Sequence, residues 1–258
     1  MKLKDHTALV TGASKGIGRA IALAFARDGA DVVATARERL ELESLQHEIE
    51  RLGRRCVVVI ADLAQPNAVD VIWSATAAAF DRLDILANNA GIGSSANPRP
   101  VVDFDDDFWE RTLWVNLTVP YLLCKRALPG MLARRYGRIV NIASVAGKTG
   151  AVHGAAYAAS KHGLLGLTRS LAMEVVKDGI TVNAICPGTV RSVMNDKRLH
   201  YDAQRLGKTF EELERTVMPI GRRIEPQEIA EFAVYLASPR AAAATGQAFV
   251  IDGGALMS

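Results

Sequence analysis

Nowhere in the 258 residues is there a run of 18 uninterrupted apolar side chains, so the sequence offers no candidate helix for crossing a bilayer. The apolar run that follows the N-terminal MKLKDH is too short for the core of a secretory signal, and a soluble, cytoplasmic protein with no membrane partner is expected. Cysteine is scarce and odd in number. Cys56, Cys124 and Cys186 each lie in an apolar stretch without a CxxC or a histidine at ligand spacing, which argues against a disulfide framework or a metal site and predicts buried, reduced thiols. Linkers rich in Pro, Ser or Gly, low-complexity tracts and internal repeats are also missing, so residues 1–258 are expected to form one domain. Charge of one sign is missing too: 31 Lys and Arg against 28 Asp and Glu leave +3, and the basic residues are scattered apart from pairs such as Arg134-Arg135 and Arg222-Arg223. A nucleic-acid footprint needs a basic face, and none is legible.

What the sequence does have is alternation. Short β-branched runs, HTALVT, DVVATA, RCVVVIA, LDILAN, GRIVNIA, GITVNAI and QAFVID, are apolar nearly throughout, as strands covered on both faces should be. Between them, helical periodicity covers about 16–28, 38–52, 67–80, 105–134, 155–178 and 226–237. This pattern predicts an α/β doubly wound Rossmann fold with a mostly parallel, seven-stranded sheet and helices on both faces. In such sheets ligands lie beyond the carboxyl ends of the strands, so the residues following each strand carry the functional signal.

The first strand runs into TGASKGIGRAIA, where Gly12, Gly16 and Gly18 precede a helix. Glycines there allow a sharp turn and close approach to a pyrophosphate, and the helix N-terminus offers free N–H groups. The spacing is GxxxGxG. With Asp62 after the third strand, N88-N-A-G91 after the fourth, Asn116, Ser144 after the fifth, Tyr157 with Lys161, and P187-G188 after the sixth, the chain resembles the short-chain dehydrogenase/reductase family. The likeness spans residues 11 to 188, and a D-G-G near the C-terminus extends it over almost the whole chain.

That resemblance implies a nicotinamide cofactor held by Gly12, Ser14, Lys15, Gly16, Ile17, Gly18, Arg37, Asp62, Leu63, Asn88, Tyr157, Lys161, Pro187, Gly188, Val190 and Ser192. Asp62 would meet the adenine and Asn88 the adenosine ribose, although both also suit plain strand-end caps. At the end of the second strand, where an NAD site carries an acid for the ribose 2′-hydroxyl, VVATARERL has Ala36 and then Arg37. A guanidinium grips a 2′-phosphate and Lys15 could add a second cation, so NADP(H) is expected ahead of NAD(H). The alternative is that Arg37 merely opens a solvated, charge-rich helix.

Hydride exchange with a carbonyl leaves the protein one proton to manage. By resemblance Tyr157 is the acid/base, Lys161 one helical turn on lowers its pKa and holds the nicotinamide ribose, and Ser144 orients the carbonyl. Asn116 is the family's structural or proton-relay asparagine. Pro120 lacks an N–H, so the Asn116 carbonyl four residues earlier loses its intrahelical donor and is free for a water in such a relay.

The polar segment at about 189–218 reads as a substrate lid, with His200, Tyr201 and Arg205 as candidate contacts and His153 in a loop bordering the pocket. The stretch around YAASK resembles 3-oxoacyl reductases and polyketide ketoreductases. This implies a small ketone or alcohol substrate, free or as a thioester; the alternative is a dehydrogenase of a cyclic or secondary alcohol or a sugar. Arg134 and Arg135 are candidates for docking a carrier, with Asp178 arguing against it where carrier-using relatives are basic. The family further implies a homotetramer. A catalytically silent nucleotide sensor could dispense with Ser144, Tyr157 or Lys161, and all are present.

Overall fold

The computed structural model describes residues 1–256. Seven strands, β1 (Thr7–Thr11), β2 (Asp31–Ala36), β3 (Cys56–Ile60), β4 (Ile85–Asn88), β5 (Gly137–Ile142), β6 (Ile180–Pro187) and β7 (Ala248–Ile251), form one parallel sheet in the order β3-β2-β1-β4-β5-β6-β7. All seven coincide with the apolar runs of the sequence. Their side chains alternate between two cores: Ala8 and Val10 of β1 face one, and Leu9 between them faces the other.

The first core is roofed by α1 (Gly16–Arg27), α2 (Arg39–Arg51) and α9 (Pro226–Ala237). The second is roofed by α3 (Ala68–Ala79), α5 (Val119–Arg134) and α6 (Ala155–Val175). Cys56, Cys124 and Cys186 are buried and free. Burial pushes the Cys56 and Cys124 thiols up to about 12 and raises that of Cys186 as well, so all three stay protonated near neutrality.

The single helix expected over 105–134 is interrupted. α4 (Asp106–Leu113) passes into α5 through a π-helical turn at Trp114–Thr118, where the Val119 N–H donates to the Trp114 carbonyl. Pro120 explains the change of pitch: its ring cannot follow an ordinary turn and it brings no N–H, so the helix widens just before it. Asn116 sits inside this turn.

The expected lid consists of α7 (Val193–Leu206) and α8 (Phe210–Thr216). Its base is fixed twice. Val190 bridges Ile224 in parallel, with Arg191 N–H donating to the Ile224 carbonyl at 2.8 Å. Arg223, with 4% of its side chain exposed, binds Glu214 of α8 and Asp196 of α7 together and lies over the Phe210 ring. Removing one partner of a buried ion pair leaves the other charges unpaired, but Asp196 and Glu214 are 42% and 27% exposed, which limits the loss to about 1–3 kcal/mol. Arg223→Ala should therefore speed hydrogen exchange across residues 193–216 by about tenfold or more while β1 and β4 keep their protection. Unchanged exchange in the lid would show that it does not depend on this guanidinium.

Candidate active site

The strand order reverses between β1 and β4, since β2 and β3 lie on one side and β5 to β7 on the other. Beyond their paired residues the two chains part, and a crevice opens at their carboxyl ends. Asn89 fixes its width. Its side-chain amide donates to the carbonyls of Thr11 (2.9 Å) and Gly12 (3.2 Å), while the Thr11 hydroxyl accepts the N–H groups of Asn89 and Ala90, both at 3.0 Å.

The glycine loop divides into two tasks. A Cβ on Gly18 would lie 2.2 Å from the Gly12 carbonyl oxygen and 2.4 Å from the Asn89 amide, so Gly18 serves close packing. Gly16, with φ +54°, opens α1 and faces free space: the nearest atom to an added Cβ is Ser192 Cβ at 3.7 Å. That opening above a helix N-terminus is the cradle a pyrophosphate requires.

Beside it lies an open cleft of about 490 Å³ lined by Ser14, Lys15, Gly16, Arg19, Leu40, Glu41 and Ser44. Lys15 pairs with Glu41 at 3.1 Å, and Arg19 is tied to Glu48 and Ser44. Arg37 is exposed and makes no ion pair or hydrogen bond with other described residues. The residues present fit a nicotinamide dinucleotide.

Several of the assigned residues have contacts of their own within the chain. Asn88 is buried, its amide donating to Asn141 Oδ1 at 2.9 Å inside the sheet, so its side chain does not face the crevice as a ribose contact requires. Adjacent residues of a strand point to opposite sides, which gives the buried role to Asn88 and the crevice to Asn89. Asp62 accepts the Ala64 N–H at 3.0 Å, the cap reading, and the Leu63 carbonyl accepts Trp114 Nε1. Half-buried Ile17 packs against the first core. Pro187 closes β6, and the Gly188 N–H donates to the Ile251 carbonyl. Ser192 caps α7 by accepting the Asn195 N–H, and Val190 is buried at the lid base.

On the other side of the crevice, Ser144 follows β5 by two residues, and its hydroxyl oxygen accepts the Ala146 N–H at 3.1 Å. Tyr157 lies in the first turn of α6 and Lys161 one turn further on. Burial raises the Tyr157 phenol above its ordinary value, with the Ser144 hydroxyl pulling the other way. Burial also takes Lys161 down to about 8.

The expected lowering of Tyr157 by Lys161 is therefore not present here. The ammonium is 5.7 Å from the phenol ring centroid and donates to the Ile142 carbonyl at 2.7 Å, while desolvation acts on both groups. Asn116 is fully buried and its amide is committed: Oδ1 accepts the Ile92 N–H at 2.7 Å, and Nδ2 donates to the Ile92 carbonyl and to Ser160 Oγ, both at 3.0 Å. Only its main-chain carbonyl is left for a relay. The Asn116 amide oxygen and the Lys161 ammonium flank Gly91, where a Cβ would lie 3.2 Å from one and 3.7 Å from the other.

The lid reaches this region through one face of α7. Tyr201 Oη meets His153 Nδ1 at 2.5 Å and Arg198 donates to the Val152 carbonyl at 2.9 Å. His200 turns away to the Asp196 carbonyl and the Phe210 ring, and Arg205 pairs with Asp202. Arg134 and Arg135 end α5, which leads into the amino end of β5, so within this chain they lie opposite the crevice. Arg134 donates to the Leu83 carbonyl, and Arg135 pairs with Asp178. No cluster of potential metal ligands occurs among the described residues.

Comparison with known proteins gives the same picture. A family model described as enoyl-(acyl carrier protein) reductase matches residues 12–255. The 3-oxoacyl-(acyl-carrier-protein) reductase FabG of Vibrio cholerae serotype O1 is 37% identical over 257 residues, covering 100% of both chains. An actinorhodin polyketide ketoreductase variant solved with NADPH superposes with a TM-score of 0.91 at 37% identity over 96% of each chain. L-sorbose reductase from Gluconobacter frateurii, solved with NADPH and L-sorbose, gives a TM-score of 0.92 at 32% identity over 100% of each chain.

Lys161 makes the site costly in a pH-dependent way. Between about 8 and its ordinary 10.5 the unfolded chain binds a proton that the folded chain does not, so stability rises with pH through that window. Measured by urea unfolding, the stability of the wild type relative to Lys161→Met should improve by about 3 kcal/mol from pH 7.5 to 10.5. A flat difference would mean that the ammonium is not desolvated.

Proposed function

The chain belongs to the short-chain dehydrogenase/reductase family, and we propose that it is an NADP(H)-dependent ketoreductase acting on a 3-oxoacyl thioester or a related ketone. The observation that carries this reading is the convergence of Ser144, Tyr157 and Lys161 beside the crevice between β1 and β4, with the free guanidinium of Arg37 at its far end.

Gly16 and the N-terminus of α1 take the pyrophosphate, and Arg37 with Lys15 takes the 2′-phosphate. Bound there, the nicotinamide supplies the hydride that reduces the carbonyl carbon. The chain's own residues manage the oxygen. Ser144 donates its hydroxyl hydrogen to the carbonyl oxygen and holds it in place as negative charge develops. Tyr157 delivers a proton to the same oxygen, and its raised pKa keeps it protonated near neutrality, which suits reduction. Lys161, with a pKa of about 8, exchanges protons readily at neutral pH and is the next station behind Tyr157. The Asn116 carbonyl, for which Pro120 has no N–H, continues the route toward solvent.

The segment at 189–218 serves as the lid. No helix among the described residues is long and apolar enough to cross a membrane, and a cytoplasmic setting suits three unpaired thiols. A homotetramer would use the outer faces of α5 and α6, where Tyr121, Leu132 and Met173 are exposed. A carrier-bound substrate gains no support from Arg134 and Arg135.

Tyr157→Phe should reduce turnover by about 10²–10⁴-fold while leaving NADPH binding intact; retained turnover would remove the proton role. A panel of acetoacetyl-CoA, cyclic ketones and sugars, followed by loss of NADPH absorbance, should show preferential consumption of the thioester. Turnover confined to sugars or cyclic ketones would replace the substrate reading.

A further inference from the structure

Two carboxylates stand among the groups that would receive the 2′-phosphate. Glu38, immediately after Arg37, extends across the mouth of the cleft to the glycine loop, where the buried Ser14 hydroxyl donates to its Oε2 at 3.0 Å. No cation of the described residues lies within ion-pair distance of Glu38. Glu41, in the first turn of α2, holds Lys15, and that contact depresses its own pKa. Among the cations on this side, Arg19 and Lys15 are thus paired, and Arg37 alone is free.

These residues meet the two forms of the cofactor in opposite ways. A 2′-phosphate drawn to Arg37 comes beside the unpaired Glu38 charge and must compete with Glu41 for Lys15. A bare 2′-hydroxyl finds in Glu38 an acceptor already oriented by Ser14, the chemistry by which an acid beyond the second strand receives NAD. Arg37 and Glu38 are neighbours in sequence just beyond β2, and Glu38 reaches the glycine loop through Ser14.

We propose that Glu38, positioned by Ser14, sets the cofactor specificity of this site, favouring the 2′-hydroxyl against the 2′-phosphate that Arg37 favours, so that the enzyme takes both NADPH and NADH with only a modest preference for NADPH. This rests on the nicotinamide-dependent reading above. It makes Glu38 a binding residue and Glu41 a competitor for Lys15.

The test is nucleotide binding to the intact protein, read by calorimetry for NADPH, NADH, 2′,5′-ADP and 5′-AMP, with no substrate present. The wild type should bind NADPH no more than about tenfold more tightly than NADH. Glu38→Gln should tighten NADPH and 2′,5′-ADP by about tenfold and weaken NADH several-fold. Glu41→Gln, by releasing Lys15, should tighten NADPH by about threefold and leave NADH unchanged. Equal shifts for both nucleotides, or none, in Glu38→Gln would overturn the proposal, as would a wild-type preference above about a hundredfold. Arg37→Gln separates the Glu38 assignment from the nicotinamide-dependent reading: it should weaken NADPH and 2′,5′-ADP but not NADH. If Arg37→Gln behaves so while Glu38→Gln does nothing, only the Glu38 assignment fails; a wild type that binds neither dinucleotide overturns the parent reading and this one with it.

Discussion

The stitch between Thr11 and Asn89 is the constraint on which the site depends. Parallel pairing joins Ala8–Val10 of β1 to Ile85–Ala87 of β4, and the connections beyond must then diverge because they lead to helices on opposite faces of the sheet. Left to themselves, the ends of the two strands would expose main-chain groups to a widening gap. The Asn89 amide and the Thr11 hydroxyl satisfy four of those groups and hold both lips of the crevice at one spacing. The glycine cradle hangs from one lip. From the other hangs the Gly91–Ile92 turn, which the Asn116 amide ties to Ser160 on the catalytic helix. Nucleotide and proton-transfer halves are therefore registered through side-chain amides rather than through the sheet alone.

The same economy explains the π-helical turn. Asn116 must present its amide edge to both polar groups of Ile92 while its neighbours Val115 and Val119 remain in the core. An extra residue in the turn makes both possible, and Pro120 makes the wider pitch inexpensive by removing the N–H that would have closed the ordinary one. What looked in the sequence like a device for freeing one carbonyl is also a device for aiming a side chain.

The sheet and the glycine loop were legible in the sequence because they rest on local signals: apolar runs of strand length and glycines followed by a helix. The proposed catalytic set rests on the spacing of Tyr157 and Lys161 and the place of Ser144 after an apolar run, and the fold gathers these side chains at one end of the sheet. Functions that depend on direction were not. Asn88 and Asn89 are identical letters, and only the pleat decides that one braces Asn141 and the other spans the crevice. Arg134 and Arg135 look like a docking pair until the topology places the end of α5 at the opposite edge of the sheet. The pair Tyr157 and Lys161 shows a further limit. Spacing in a helix fixes a shared face, whereas the pKa depends on depth, and at this depth desolvation outweighs a cation whose ammonium is bound to Ile142.

Depth matters equally for what the site admits. Met194, Arg198 and Tyr201 follow one another at i, i+4 and i+7, a single stripe of α7, and that stripe is the lid's inner surface. Met194 lies against Gly93, where any Cβ would come within 2.6 Å of it. Arg198 and Tyr201 close on Val152 and His153, the latter in a left-handed conformation with φ +55° just before the catalytic helix. The inner surface thus changes from apolar thioether to guanidinium and phenol along its length. Arg198 is itself held by both oxygens of Asp202, so its charge is balanced and its direction fixed. If 189–218 serves as the proposed lid, a substrate under α7 would meet graded polarity in a frame anchored at Arg223 and at His153. In the proposed mechanism Ser144 and Tyr157 address only the oxygen that all ketones share, with Lys161 behind them on the Ile142 carbonyl, so discrimination between ketones would fall to this stripe.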